Sequence, residues 1–541
     1  MLLDSNSISA PCFSALSSSH PVLSCEASAA WEASVLETSE DEWQVMQRVG
    51  KKIASEIILE LAFGFRRREL RVLALVGKGH NGGDALLALA ELVERGHVST
   101  VCILLSAEVS ALKENTRRAY DRLLGLMPKG RVVVIEREAE SDLKWLEEVD
   151  SALATELFDL SIDGFLGLSY RAPLKFYFEE VAKSINANPN IGLRVAVDMP
   201  TGVGSVHAFV ADVTVAAGIC KDSVSVRSNE AVCGKLRYVD VGLLGDRPVS
   251  NRHVLLDGIL NPVRSRRSVS ADKRSMGHVA IVAGSCRMPG AMAMCVRGAL
   301  QSGVGLVTVF APESIVHAFS TAIPEAMWVG WPETPDGELA MEGEFLLSQY
   351  AEKATALILG PGIGNGRETG AMVRNIVTNW RKPIVLDADA LTQDAMFALG
   401  KRREVNAVLT PHLGEFFRMT GSRRSENVED EELCGFSGAY SCVTVLKGPN
   451  TRIANHENVF LNTTGNSVLA RGGSGDILSG MIGGLLARWP KSSLEAACLG
   501  TYWHGRAGDV LAYENGQNAV RITQLLDCLV PALEAPLKWE A

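Results

Sequence analysis

RGGSGDILSGMIGGLLARW, residues 471–489, carries three glycines around Ser474 and Asp476 and then runs on as an apolar stretch. Ile477, Leu478, Met481, Ile482, Leu485 and Leu486 recur with helical spacing, so the glycines stand at a helix N-terminus. Gly472, Gly473 and Gly475 let backbone amides turn inward and approach an anion closely, and the helix dipole adds a positive end. Asp476 then falls in the first turn, where a carboxylate would repel a phosphate unless it has chemistry to perform. General base for a hydroxyl attacking phosphorus is such chemistry. Taken alone, the same residues also read as a Gly-rich turn with a helix-capping Asp.

Further loops extend this site. The apolar run Val443–Leu446 leads into Lys447-Gly448-Pro449-Asn450-Thr451, whose Lys and Thr suit nucleotide phosphates and whose Gly-Pro-Asn also suits a plain turn. Gly360-Pro361-Gly362-Ile363-Gly364 and Thr410-Pro411-His412-Leu413-Gly414-Glu415 follow apolar runs in the same way, and His412 by itself also reads as a structural histidine. Ligands of open α/β sheets bind at the carboxyl ends of strands, so these loops predict one crevice.

The chain has 541 residues, too many for a single core, so at least two domains are expected. A net charge of −10 speaks against a nucleic-acid surface, and the eleven Cys include no CxxC pair, which excludes the common zinc and redox spacings. No apolar run reaches the roughly 18 residues of a membrane helix, and the Ser-rich start lacks a basic region before an apolar core. A cytoplasmic protein with reduced thiols is expected. Short β-branched runs (Arg71–Val76, Val101–Leu105, Val132–Ile135, Phe158–Ile162, Arg194–Val197 and, later, Val279–Ala283, Leu306–Phe310, Ala356–Leu359) alternate with amphipathic stretches. That alternation predicts an α/β chain of two doubly wound domains built on mostly parallel sheets. Periodicity fades near 245–272, where RSRRSVSADKRS is polar and basic. The expected organisation is a disordered tail over 1–20, a domain over 21–248, a linker over 249–271 and a domain over 272–541.

In the first domain, Val72–Val76 leads into Gly77-Lys78-Gly79-His80-Asn81-Gly82-Gly83-Asp84 and then ALLALAELVERG. Strand, Gly-rich turn and helix can cradle a dinucleotide phosphate, although the spacing is not GxGxxG and a tight βα turn with Asp84 in the first helical turn is the plainer reading.

The second half resembles the ADP/ATP-dependent NAD(P)H-hydrate dehydratases of the ribokinase superfamily. The resemblance runs through GHVAIVAGS (277–285), PGAMAM (289–294), SGVGLVTV (302–309), LILGPGIG (357–364), VLDADAL (385–391), LTPHLGE (409–415), LKGPNT (446–451), NTTGN (462–466), GGSGDILSG (472–480) and CLGTYWHGRAGD (498–509). It implies a ribokinase-like fold in which Ala291, Gly362, His412 and Asp476 contact the hydrate. Lys447, Gly448, Pro449, Asn450, Thr451, Gly473, Ser474 and Gly475 would hold the nucleotide, and Asp476 would act as base. Asp272-Lys273 stands where the family often has His-Lys, and Cys286-Arg287-Met288 also departs from it.

The first half resembles the NAD(P)H-hydrate epimerases, a Rossmann-like three-layer fold. The resemblance rests on TSEDEWQVMQRVGKKIA (38–54), the His80–Asp84 turn, Asp163 with its following loop, Asp198-Met199-Pro200-Thr201-Gly202 and Lys221 in AGICKDS. It implies that His80, Asn81, Gly82, Gly83, Asp84, Gly167 and Asp198 bind the hydrate, that Asp198 is catalytic, and that Asn81, Asp163 and Thr201 hold potassium. Departures are concentrated here: His80 replaces an Asn, Ala85 a Gly, Gly167-Leu168-Ser169 a Gly-Thr-Gly, and no Asp follows Thr201-Gly202. Together the halves imply a bifunctional repair enzyme for NADHX and NADPHX. The S hydrate would be dehydrated with ADP or ATP and Mg²⁺, the R and S hydrates would be interconverted, and the enzyme would be a homo-oligomer with no nucleic-acid or membrane partner. The alternative is a ribokinase-type small-molecule kinase carrying a degenerate N-terminal ligand-binding or interaction module.

Overall fold

Leu70–Val76, LRVLALV, sends alternate side chains to opposite faces, and both faces are covered. Val72, Ala74 and Val76 pack with Ile53, Leu86 and Leu89 of the helices Ser39–Gly64 and His80–Glu94, whereas Leu73 and Leu75 pack with Trp145 and Phe178 of Asp142–Thr155 and Phe176–Ala187. A strand apolar on both faces therefore dictates helix–sheet–helix layers. In the computed structural model, residues 14–64, 69–138, 141–168, 173–244, 249–402, 406–422 and 427–540 are described. Two compact units result: His20–Ser250 with Pro536–Ala541, and Asn251–Ala535 with the residues up to Ser19.

The N-terminal unit contains β1 (Ser19–Leu23), β2 (Leu70–Val76), β3 (Val98–Leu105), β4 (Val132–Glu136), β5 (Phe158–Gly164), β6 (Ile191–Val197), β7 (Val213–Ala217), β8 (Cys220–Lys221) and β9 (Lys235–Val239). Its main sheet runs β4-β3-β2-β5-β6-β7-β9 with every ladder parallel, and β1 pairs with β8 beside it. The chain winds outward from β2 through β3 to β4 and then returns to β5. The topological switch point lies between β2 and β5, where a ligand crevice is expected.

The C-terminal unit contains β10 (Arg252–Leu255), β11 (His278–Val282), β12 (Leu306–Pro312), β13 (Met327–Trp331), β14 (Ala356–Leu359), β15 (Ile384–Leu386), β16 (Ala407–Leu409), β17 (Cys442–Leu446), β18 (Thr451–Ala454) and β19 (Val459–Asn462). They are ordered β13-β12-β11-β14-β15-β16-β17-β18-β19-β10, antiparallel only where β18 meets β17 and β19. The switch point here lies between β11 and β14, and the helix Ser474–Arg488 packs over both strands.

Three expected boundaries shift. The segment 249–271 is not a plain linker: β10 pairs with β19, Ile259 and Leu260 are buried, and His253 stacks on Phe460 at 5.2 Å. Only the basic run after Arg264 is uniformly exposed up to Ser275, and its polarity masked the short apolar strand before it. Of the expected tail, 1–13 lies outside the described residues, while Ser19 and His20 are buried at the start of β1 and His20 Nδ1 lies 2.7 Å from Tyr238 Oη. At the far end, Pro536–Ala541 joins the N-terminal unit, where Trp539 is buried and its carbonyl accepts from Arg95.

Candidate active sites

In the C-terminal unit the helix Ser474–Arg488 begins at Gly473, whose φ of 97° is left-handed and disfavours a side chain. Ser474, Gly475 and Asp476 form its first turn, so their amides and the carboxylate face the same space. His504 braces this turn from the helix Ser493–Asn515: its Nε2 lies 3.0 Å from the Ser474 carbonyl and 3.3 Å from Ser474 Oγ. Burial pushes the His504 pKa down to about 4, so the ring is neutral and Nε2–H donates to the carbonyl. The rest of that motif is also structural. Arg506 pairs with Asp257, and Asp509 accepts from Gly465 N at 2.8 Å and Asn466 Nδ2 at 2.9 Å.

The expected loops meet. Lys447, at the end of β17, places Nζ 3.2 Å from Asp387 Oδ1 and 3.6 Å from Glu415 Oε2, and a Cβ on Gly475 would stand 3.2 Å from that Nζ. Burial opposes the Lys447 charge, but Asp387 and Glu415 overcome it and hold its pKa above the ordinary lysine value. Gly448–Asn450 is the hairpin turn between β17 and β18, closed by Thr451 Oγ1 donating to the Gly448 carbonyl at 3.1 Å. His412 caps the helix Leu413–Thr420: Nδ1 accepts from Glu415 N at 3.2 Å while Glu415 Oε2 accepts from His412 N at 2.8 Å. The imidazole is 60% exposed, so capping leaves its outer edge open to a ligand.

Ala291 and Gly362 also come together, since a Cβ on Gly362 would lie 2.9 Å from Ala291 Cβ and 2.7 Å from the Met288 carbonyl. The Gly360–Gly364 loop is tied to the turn after β15 by Gly364 N donating to Asp389 Oδ2 at 3.0 Å. Of the two departures from the family pattern, Met288 thus borders Gly362, and Asp272 closes a surface turn by accepting from Arg274 N and Ser275 N. Burial, reinforced by Asp387, pushes the Asp476 pKa up to about 6 against the opposing pull of Lys447. Asp387, Asp389 and Glu415 received no role from the sequence. The signal was present in VLDADAL, where two carboxylates straddle Ala388 (φ 53°) directly after β15.

In the N-terminal unit the Gly77–Asp84 turn leaves β2 and touches the end of β5. A Cβ on Gly77 would meet the Phe165 carbonyl at 1.9 Å, so only glycine permits that approach. Beside it lies a cavity of about 620 Å³. His80, Asn81, Asp84, Gly167, Leu168, Asp198 and Lys221 line it. Gly82 and Gly83 serve packing instead: a Cβ on Gly82 would meet the Gly77 carbonyl at 2.1 Å, and one on Gly83 would meet Met46 at 2.3 Å. His80 Nε2 is 3.3 Å from Glu42 Oε2. Leu168 borders the cavity, and the altered Ser169 and Tyr170 lie outside the described residues.

Asn81, Asp163 and Thr201 are joined in one hydrogen-bonded chain. Asn81 Nδ2 donates to the Leu166 carbonyl at 2.9 Å, Leu166 N donates to Thr201 Oγ1 at 3.2 Å, and Thr201 Oγ1 donates to Asp163 Oδ1 at 2.7 Å. Asp163 is fully buried, and burial pushes its pKa to about 6 despite bonds from Thr201 and Phe165. Asp198 sits at the end of β6 with φ 64°, and its Oδ1 accepts from Lys221 Nζ at 2.6 Å.

The family model described as NAD(P)H-hydrate dehydratase matches residues 279–531, and the model described as YjeF-related protein N-terminus matches 42–223. A bifunctional NAD(P)H-hydrate repair enzyme of Moorella thermoacetica is 30% identical over 90% of this chain and 91% of its own length. The Escherichia coli enzyme of that name is 30% identical over 84% of both chains. An ADP/ATP-dependent NAD(P)H-hydrate dehydratase from Bacillus subtilis, co-crystallised with ATP/Mg²⁺, matches 50% of this chain and 94% of its own at 29% identity, with a TM-score of 0.43. With both domain models matched in order and relatives of that likeness along nearly the whole length, the chain belongs to the bifunctional NAD(P)H-hydrate repair enzyme family.

Proposed function

We propose that the chain repairs hydrated nicotinamide cofactors. The C-terminal unit dehydrates the S epimer of NADH or NADPH hydrate using ADP or ATP, and the N-terminal unit interconverts the R and S epimers. The observation that carries the first activity is Asp476, a carboxylate in the first turn of an anion-binding helix N-terminus, facing the Lys447 loop. Hydroxide leaves the reduced ring poorly, whereas phosphate leaves well. Asp476 takes the hydroxyl proton as that oxygen attacks the terminal phosphorus of the nucleotide. The Gly473, Ser474 and Gly475 amides, with Lys447, stabilise charge on the transferring group. The ring nitrogen's electron pair then expels phosphate, and loss of a proton from the adjacent carbon restores the ring double bond. Ala291, Gly362 and His412 border the hydrate, and Lys447–Thr451 border the nucleotide.

Mg²⁺ is the counter-ion expected with the nucleotide and neutralises phosphate charge when bound. Such an ion needs only one or two protein carboxylates beside the phosphates; among the described residues no group of three or more His, Cys, Asp or Glu could hold it, so the nucleotide phosphates and water would supply most of its ligands. In the N-terminal unit, Asn81, Asp163 and Thr201 supply hard oxygen donors suited to potassium, and Thr201 Oγ1, which donates one bond and accepts one, keeps a lone pair free for it. Potassium there would neutralise buried Asp163 and fix the Leu166–Gly167 loop along the cavity.

Product analysis tests the dehydratase. With pure S NADH hydrate, Mg²⁺ and either nucleotide, NADH and free phosphate should appear in equal amounts. A phosphorylated product that persists would overturn this reading in favour of a small-molecule kinase.

A further inference from the structure

The N-terminal cavity holds more carboxyl groups than it can keep ionised. Glu32, Asp84 and Asp198 all line it, and Lys221, itself buried, also lines it. Lys221 Nζ is 2.6 Å from Asp198 Oδ1 and 3.9 Å from Glu32 Oε1. Burial works against the lysine charge, yet these two carboxylates hold its pKa above the ordinary value. Asp198 is thereby the paired carboxylate, stretched toward Lys221 from a left-handed backbone that a non-glycine residue rarely adopts.

Asp84 is in the opposite state. Its Oδ1 is closed off from solvent and has no hydrogen-bond partner among the described residues. Burial, with the charges of Asp198 and Glu32 added, drives its pKa well up, and Lys221 only partly offsets them. An ionised carboxylate with an unpaired buried oxygen beside two others is costly, so Asp84 keeps its proton. Asp198, with a lysine ammonium at 2.6 Å, and Asp84, with an unpaired buried oxygen, form the unequal pair that divides acid from base in enzymes with paired carboxyls.

We propose that Asp84 is the proton donor and Asp198 the proton acceptor of epimerisation, acting on one hydrate bound in this cavity. This rests on the epimerase reading above and assigns its chemistry. The hydroxyl-bearing carbon of the hydrate is bonded to the ring nitrogen. Asp198 removes the hydroxyl proton, and the oxygen's electron pair forms a carbonyl as the carbon–nitrogen bond breaks. The electrons of that bond move to nitrogen, which takes the proton of Asp84. Rotation of the freed aldehyde presents its other face. Nitrogen then adds back and returns its proton to Asp84, while the oxygen recovers the proton held by Asp198. The cycle ends with both carboxyls as they began, and it needs no external reactant.

The experiment uses the full chain and pure R NADH hydrate. Epimerisation is read through the chain's own dehydratase, with turnover of pure S hydrate as the internal control. Asp84→Asn keeps the shape and a hydrogen-bond donor but cannot give up a proton. It should lower the epimerisation rate by about 100-fold or more, leave S-hydrate turnover at the wild-type rate and still bind hydrate in the cavity. Asp84→Glu should recover part of the lost rate. An Asp84→Asn chain that epimerises within about threefold of wild type would overturn the assignment, as would equal rates for the Asn and Glu variants. If the wild-type chain converts S hydrate but epimerises nothing, the epimerase reading itself falls, and this assignment falls with it.

Discussion

The catalytic role proposed for Asp476 carries a cost in stability. Its folded pKa of about 6 lies above the ordinary value of 3.8, so the folded chain holds this proton more tightly than the unfolded one. The corresponding stability is fully present below 3.8 and is lost as pH rises through about 6, when a buried charge forms beside Asp387, Asp389 and Glu415 with Lys447 opposing them. Dehydratase kcat/KM should rise with pH through about 6 as the base ionises. Asp476→Asn should lower kcat by about 10²–10⁴-fold with nucleotide affinity retained. It should also raise the melting temperature of the C-terminal unit at pH 7 by about 2 °C. Calorimetry and steady-state kinetics on one preparation check both. Lys447→Met leaves Asp387 and Glu415 facing each other without their cation. Weaker nucleotide binding by titration calorimetry is expected, with a loss of about 3 kcal/mol in unfolding free energy.

At the level of elements, both sites are strand–turn–helix units with one turn glycine, Gly77 or Gly473, that tolerates no Cβ. A methyl on Gly473 would meet Met294 Sδ at 2.1 Å on a backbone already at φ 97°. Gly473→Ala should tilt the first turn of its helix and abolish dehydration while leaving epimerisation intact. Gly77→Ala should do the reverse, because its methyl would meet the Phe165 carbonyl at 1.9 Å, and should destabilise the N-terminal unit by about 1–3 kcal/mol. Thermal melts with separate assays of each activity resolve the two. These turns were legible in the chain because their glycines follow apolar runs and precede helical spacing. Leu70–Val76 and Ala356–Leu359 were equally plain. Arg252–Leu255 was not, since only Val254 and Leu255 of its four residues are apolar, whereas Ala356–Leu359 is apolar throughout. Met327–Trp331 escaped for another reason: it is the edge strand of its sheet and only partly buried, so its pattern is neither continuous nor alternating. The carboxylates around Lys447 are contributed by separate strand ends, and only the folded sheet brings Asp387 and Glu415 within 4 Å of one ammonium. The unpaired Asp84 oxygen was likewise invisible to spacing.

Across the whole molecule, both doubly wound units gather their candidate site residues at strand carboxyl ends, after β2, β5 and β6 in one and after β14, β15, β16 and β17 in the other. No helix among the described residues is long and apolar enough to cross a membrane. Joining the activities in one chain has a chemical reason: a dehydratase that accepts one epimer leaves the other behind, and an interconverting partner clears it. The residue sets are separate, so Asp476→Asn should preserve epimerisation and Asp198→Asn should preserve dehydration. Their mixture should restore full conversion. The most direct measurement follows absorbance of the reduced nicotinamide after enzyme, Mg²⁺ and ADP or ATP are added to both NADH-hydrate epimers. Complete conversion, faster than the epimers interchange unaided, is the expected result. A fast phase that stops near half would contradict the epimerase assignment, and no NADH at all would contradict the dehydratase.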